Sequence, residues 1–266
     1  YLYNHHAMIR KYAMGNLKTF VKDITVDPAM LVYLNGQRNT KTAPDENYAR
    51  ELQELFTLGK GEDSEYTEAD VQEAAKVLTR WRVNRLTGES YFQANLHDTS
   101  DKTFSAFYNN EVITGQSGTD GAKETDDLIA MIFKQNEVAK FICRKLYRWF
   151  VYYDIDAGVE KDVIEPLATT YINNNYDIKP VLKQLFESEH FFDQANVACL
   201  IKSPIDFIVG FMRSTDIVFE TADFVQEYAL WNLTHQLGSV LQQNVGSPPN
   251  VSGWPAYYQM PLFHEI

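Results

Sequence analysis

Little in this chain can hold it together covalently or carry it into a bilayer. Two cysteines in 266 residues, Cys143 and Cys199, are too few for a disulfide scaffold. Each lies among apolar neighbours, so both read as buried thiols. A single bridge stays open, because pairing depends on Cα separation. No C-x-x-C occurs, which removes the usual signature of redox and zinc-ribbon sites. No run approaches the roughly 18 consecutive apolar residues of a membrane-spanning helix. The phosphate-loop, dinucleotide-fold and nucleophile-elbow glycine patterns are missing too, so nucleotide binding and serine hydrolase chemistry lose their strongest hints. Positive charge is scarce: 24 Lys and Arg face 36 Asp and Glu, a formal net charge of −12. A surface that negative repels phosphate backbones and anionic lipid, which disfavours nucleic-acid and membrane-surface partners.

What is present is ordinary globular material. Hydrophobic residues make 45% and charged residues 23% of the chain, which excludes a disordered tail, a collagen-like rod and a pure coiled coil. The dominant period is helical, with apolar residues three and four apart. Asp27-Pro28 starts a helix, with Pro28 at the first helical position. A helix opens at Pro44-Asp45-Glu46 and runs to Leu58, with Gly59 as its stop. Thr67-Glu68-Ala69-Asp70 has the form of a capping box and starts a helix reaching Trp81. Helices resume at Thr125 and continue, with a break near Asn136, to Tyr153. Others cover about 159–172 and 179–188. Ser203-Pro204-Ile205-Asp206 is another helix start, and 222–243 makes a last long helix. Between 87 and 121 the periodicity vanishes, and Ser90–Gln93 and Lys102–Phe104 are the segments able to pair there. The expectation is an all-α fold: one compact multi-helix domain over 1–266 with a small irregular or β-hairpin insertion around 87–121. The opening Tyr1-Leu2-Tyr3, already inside a helical pattern, suggests a fragment of a longer parent chain.

Three groups of residues are candidates for chemistry or binding. On a regular helix Tyr48, Leu52, Leu55 and Phe56 face the core, and Asn47, Glu51 and Glu54 share a polar stripe beside Arg50. Two carboxylates three apart can share a metal or an acid–base task. The companion histidine of such sites is missing, and an ion-pair series from Glu46 through Arg50 to Glu54 is the simpler reading. Lys145 projects into the apolar face formed by Val138, Phe141, Ile142, Leu146, Trp149 and Tyr153. An ammonium there needs a carboxylate or a route to water, so Lys145 or Arg148 is expected to pair with Glu51 or Glu54. His97-Asp98 lies in the non-helical region, with Asp101 and Lys102 following. A histidine with carboxylates in a loop can bind metal or exchange protons, although no H-x-H or H-E-x-x-H spacing supports it. Thus Glu51, Glu54, His97 and Asp98 are the catalytic candidates, and no cofactor motif or complete metal-ligand set is identified.

The end of the chain is distinct. From Tyr228 to His264 there is no Asp, Glu, Lys or Arg. Asn, Gln, Ser and Pro interrupt the stretch, so it is a surface to be packed against something rather than a span. Within it Pro248-Pro249-Asn250-Val251-Ser252-Gly253-Trp254-Pro255 is a stiff segment in which Asn250 and Trp254 stand out. Trp254 reads as an anchor before it reads as a stacking platform. Together with Asn47, Arg50, Lys145 and Arg148, these two complete the candidate binding residues.

These blocks, in this order, resemble a known family. Asp27-Pro28-Ala29-Met30-Leu31, Glu46–Leu52 with Leu55–Gly59, Tyr66–Val71, His97-Asp98, Lys202-Ser203-Pro204, and Pro248–Val251 with Gly253-Trp254-Pro255 are similar to the bacterial domain-of-unknown-function family numbered 1800. The resemblance implies export to the periplasm or cell envelope of a bacterium. It also implies a partner among neighbouring proteins resembling sulfatases and alkaline phosphatases, and it carries no established activity. One position departs: Thr79-Arg80-Trp81 stands where the family usually has Thr-Gly-Trp. The function expected is a non-catalytic binding or scaffold module for a protein partner or glycan. The alternative is a metal-assisted hydrolase.

Overall fold

The structure, a computed structural model, describes residues 1–61, 63–219 and 222–256. It is mostly helical, with two small antiparallel hairpins. Where the sequence suggests a single domain over 1–266, packing gathers the chain into two compact units. The first holds Tyr1–Trp149 and Asp154–Phe192; the second holds Phe150–Tyr153 and the chain from Asp193 onward.

In the first unit the helix starts are made by local side chains. Helix α1 (Leu2–Tyr12) buries no residue. Asn16 caps α2 (Leu17–Thr25) by accepting from the Thr19 amide. Asp27 caps α3 (Pro28–Tyr33) through the amides of Ala29 and Met30, with Pro28 at the first helical position, where its missing N–H costs nothing. The Thr67–Asp70 capping box starts α5 (Glu68–Val77). Asp70 is almost fully buried, and it also accepts from the Ser105 amide at 2.7 Å and hydroxyl at 2.8 Å. That one carboxylate anchors a helix start and the loop lying against it.

Helix α4 (Asn47–Glu51) does not continue with 3.6 residues per turn. It widens into a π-helical stretch, Leu52–Thr57. The buried positions follow: Tyr48, Leu52 and Thr57 in one row, Ala49, Gln53 and Leu58 in the next, spaced four and then five apart. The expected core face of Tyr48, Leu52, Leu55 and Phe56 is therefore corrected. Leu55 and Phe56 are only half-buried, while Gln53 is fully buried and accepts from the Tyr108 hydroxyl at 2.6 Å.

Two hairpins fill the expected insertion, with partners other than those anticipated. Strand β1 (Trp81–Val83) pairs with β2 (Ser90–Phe92), and β3 (Lys102–Thr103) pairs with β4 (Val112–Ile113). Ser90–Gln93 thus does not pair with Lys102–Phe104. Helix α6 (Glu124–Ile132) follows and packs on α2 and α5. In α7 (Asn136–Phe150) the buried residues are Val138, Ala139, Cys143 and Tyr147, while Trp149 is 69% exposed. The small side chains of Ala139 and Cys143 let this face approach its neighbours, so the apolar stripe turns away from Phe141 and Trp149. Cys143 is a buried free thiol, and burial pushes it up to about 12, while Cys199 is only half-buried. Helix α8 (Ala157–Val159), a second π-helical stretch (Glu160–Ile164), α9 (Glu165–Asn173) and α10 (Ile178–Phe186) complete the unit.

The second unit holds α11 (Pro204–Ser214) and α12 (Phe224–Val240). Ser203 caps α11, accepting from the Asp206 amide, as the Ser-Pro-Ile-Asp pattern predicts. No described helix is long and apolar enough to cross a membrane.

Gly59 closes the π-helical stretch with φ +83°, and a Cβ there would sit 2.6 Å from the Phe141 ring. Gly59→Ala should lower stability by more than the ~1–2 kcal/mol of a left-handed alanine. An unchanged urea midpoint would contradict this account.

Candidate functional site

A gathering of ionisable and polar groups is sealed inside the first unit. Thr79 follows the end of α5, and a 3₁₀ turn (Ala94–Leu96) presents His97 beside it. His97 Nδ1 lies 2.8 Å from the Thr79 hydroxyl and 3.2 Å from the Thr79 carbonyl. Its Nε2 lies 3.1 Å from Oε1 of Glu124, the first residue of α6. Lys102, from β3, sends its ammonium to Glu124 Oε2 at 2.6 Å and also donates to the Asp98 carbonyl. The Gln116 amide donates to Glu124 Oε1 at 2.6 Å. Glu124 and Lys102 are 0% exposed and His97 is 2% exposed.

Elementary electrostatics explains the arrangement. A bare carboxylate in a dry interior is costly, and it persists where cations and N–H groups surround it. Burial pushes the Glu124 carboxyl up, but the hydrogen bonds from His97, Lys102 and the Gln116 amide outweigh it, so the group lies below the ordinary glutamate range. A nitrogen facing an ionised oxygen carries a proton, so Nε2 is the donor toward Glu124. The ring is boxed in by the edge of Phe92, 5.1 Å between centroids, and by Gly121. A Cβ at Gly121 would fall 2.7 Å from His97 Cδ2, so only glycine fits. The network fastens the 97–116 segment to α5 and α6.

The other candidates stand elsewhere. The Asp98 carboxylate accepts from the Ser100 amide and hydroxyl, and its own amide donates to Thr79 Oγ1. Burial raises Asp98, but the Ser100 bonds outweigh it and hold the carboxyl below its usual range. Arg50 forks onto Glu68 at 2.7 and 2.8 Å and reaches Glu46 at 3.1 Å. The series expected from Arg50 to Glu54 is thus replaced by one to Glu68, and Glu54 faces Lys60 at 3.7 Å. Glu51 is half-buried; burial and the charge of Glu54 raise it, against the pull of Arg50. Asn47 is exposed, its amide bonded to Asp45. The Lys145 ammonium does not reach Glu51 or Glu54. It donates to the Leu55 carbonyl at 2.9 Å and lies 4.5 Å from the centre of the Phe141 ring. Arg148 is exposed. In the second unit Asn250 accepts from the Ser252 amide, and Trp254 is half-buried.

No hydrogen bond or ion pair joins Glu51 or Glu54 to His97 or Asp98. Among the described residues no three His, Cys, Asp or Glu side chains gather as metal ligands would. The residues that sequence reasoning missed are Glu124, Thr79 and the buried role of Lys102. Their only signal was a lysine placed among polar loop residues and a glutamate opening a helix, neither of which points to the other.

The family whose model matches the chain is described as a protein of unknown function, DUF1800, and the match covers residues 1–261. Comparison with curated proteins and with solved structures gives no match.

Glu124→Gln should cost about 3–5 kcal/mol in urea unfolding, because it leaves the Lys102 ammonium buried without its counter-charge. The wild-type contribution of this group is complete above the ordinary glutamate value of 4.5 and is lost as pH falls below it, since the folded-state value is the lower one. The difference in stability between wild type and Glu124→Gln should therefore shrink below that pH. A constant difference down to strong acid would contradict the assignment.

Proposed function

The chain belongs to this family of proteins of unknown function, and from that premise we propose that it is a non-catalytic binding or scaffold module of the bacterial cell envelope. One observation carries the reading: the second unit leaves its apolar side chains outside. On α12, Phe224, Val225, Tyr228 and Val240 are each more than 70% exposed, and Leu233 and Leu237 are at least half exposed. Gly238 is the one buried residue of that helix. A helix that is apolar on most sides belongs inside something, and a contiguous apolar surface on a soluble unit marks an interaction site. Between α11 and α12 lies an open cavity of about 530 Å³ with Ile208, Met212 and Trp231 in its lining. The stretch from Tyr228 carries no formal charge, so the fitting partner is a protein with an apolar docking face. A neighbour resembling sulfatases and alkaline phosphatases, as the family resemblance implies, is the first to try.

The alternative, metal-assisted hydrolysis by Glu51, Glu54, His97 and Asp98, needs those side chains in one cleft. Glu54 instead faces Lys60, His97 is enclosed with Glu124, and the Asp98 carboxylate is held by Ser100.

A photo-crosslinking residue at Phe224 or Val240, tested in envelope extracts of the host bacterium, should give one discrete adduct. The same residue at exposed Lys179 of α10 should not. An adduct equally strong from Lys179, or none from α12, would overturn the module reading. Ester hydrolysis by the pure chain that disappears in His97→Ala would favour the alternative.

A further inference from the structure

Arg80 is the residue the fold explains least. It stands at φ +74°, in the left-handed region that favours glycine, and only 6% of it is exposed. Its amide donates to the Asn39 carbonyl at 3.0 Å, and its carbonyl accepts from the Gln93 amide at 3.0 Å, so the backbone is clamped from both sides. The guanidinium donates through Nη2 to the Gln93 side chain, while Nε is buried with no partner. No carboxylate faces it. Instead the neighbouring charge is Arg82, which, after burial itself, helps lower the affinity of Arg80 for its proton.

Two more arginines share this place. Arg82 lies in β1 opposite Tyr91 and donates through Nη1 to the Gln37 carbonyl at 3.0 Å. Arg38 follows Gln37 in the 3₁₀ turn (Gly36–Arg38) that packs on β1. None of Arg38, Arg80 and Arg82 forms an ion pair, whereas Arg50 and Arg144 are each held by two or three carboxylates. What sets Arg80 apart is that it is buried, with its Nε unpartnered and a second arginine, Arg82, as its neighbouring charge.

A buried cation without a counter-charge is costly, and a strained backbone persists where something else is gained. We infer that Arg80, Arg82 and Arg38 form a binding site for a tetrahedral oxyanion, a phosphate or sulfate group, free or as a monoester. Such a group offers three or four acceptor oxygens and up to two negative charges, which suits several planar guanidinium forks better than one carboxylate does. The net charge of the chain disfavours a phosphate polymer as its source. The inference rests on these residues of the first unit and is independent of the α12 surface.

The test uses the whole 266-residue chain and its thermal unfolding in sodium phosphate, sodium sulfate or sodium chloride at equal ionic strength. Phosphate or sulfate should raise the midpoint in a saturable way, and chloride should not. A response to only one of the two identifies which group the site takes. Arg80→Gly relieves the backbone and removes the unpartnered guanidinium, so it should fold at least as stably without anion and lose the anion response. Arg82→Gln, on a half-buried strand position, should weaken titration with inorganic phosphate or sulfate by about tenfold, as the loss of one charge-assisted contact would. Equal stabilisation by chloride, or an undiminished response in both variants, would overturn the site.

Discussion

A charge taken fully out of water has to be neutralised where it stands, and Glu124 is the place where this chain meets that demand. Its two oxygens draw in His97, Lys102 and the Gln116 amide from three separate parts of a segment with almost no regular structure. Hydrophobic periodicity cannot position such a segment, because its strands are two or three residues long. Directional bonds to one buried carboxylate can, and Asp70 does the same for Ser105. The insertion is thus tied to the helices by two acids, each in the first turn of its helix.

The π-helical stretch is the second constraint. Adding one residue to a turn rotates everything after it. Thr57 and Leu58 reach the interior, five residues on from Leu52 and Gln53, and Glu54 lies near Lys60. The interior then needs a polar partner for Gln53, which Tyr108 supplies. The same widening ends at Gly59, where the backbone comes so near Phe141 that no side chain fits.

What was legible in the sequence follows from range. The caps of α3, α5 and α11 are written within three or four residues, as Asp27-Pro28, Thr67–Asp70 and Ser203–Asp206, and each is present. The helical class and the irregular region near 87–121 were legible for the same local reason. The strand partners were not, since β2 and β3 contain several equally short stretches able to pair. The Glu124 network spans 22 residues to Lys102 and 27 to His97, a separation at which residue type alone indicates nothing. Lys145 was read as needing an acid because it sits in an apolar stripe. The carbonyl of Leu55, in the last turn of its helix and so without an intrahelical donor, meets that need instead.

The two units treat their side chains differently. The first spends its buried acids and its most enclosed histidine on each other, leaving no open proton donor or metal ligand set among them. The second unit shows aromatic and aliphatic side chains of α11 and α12 to the outside. Surface of that kind is stable in water only at a cost that burial against a partner removes.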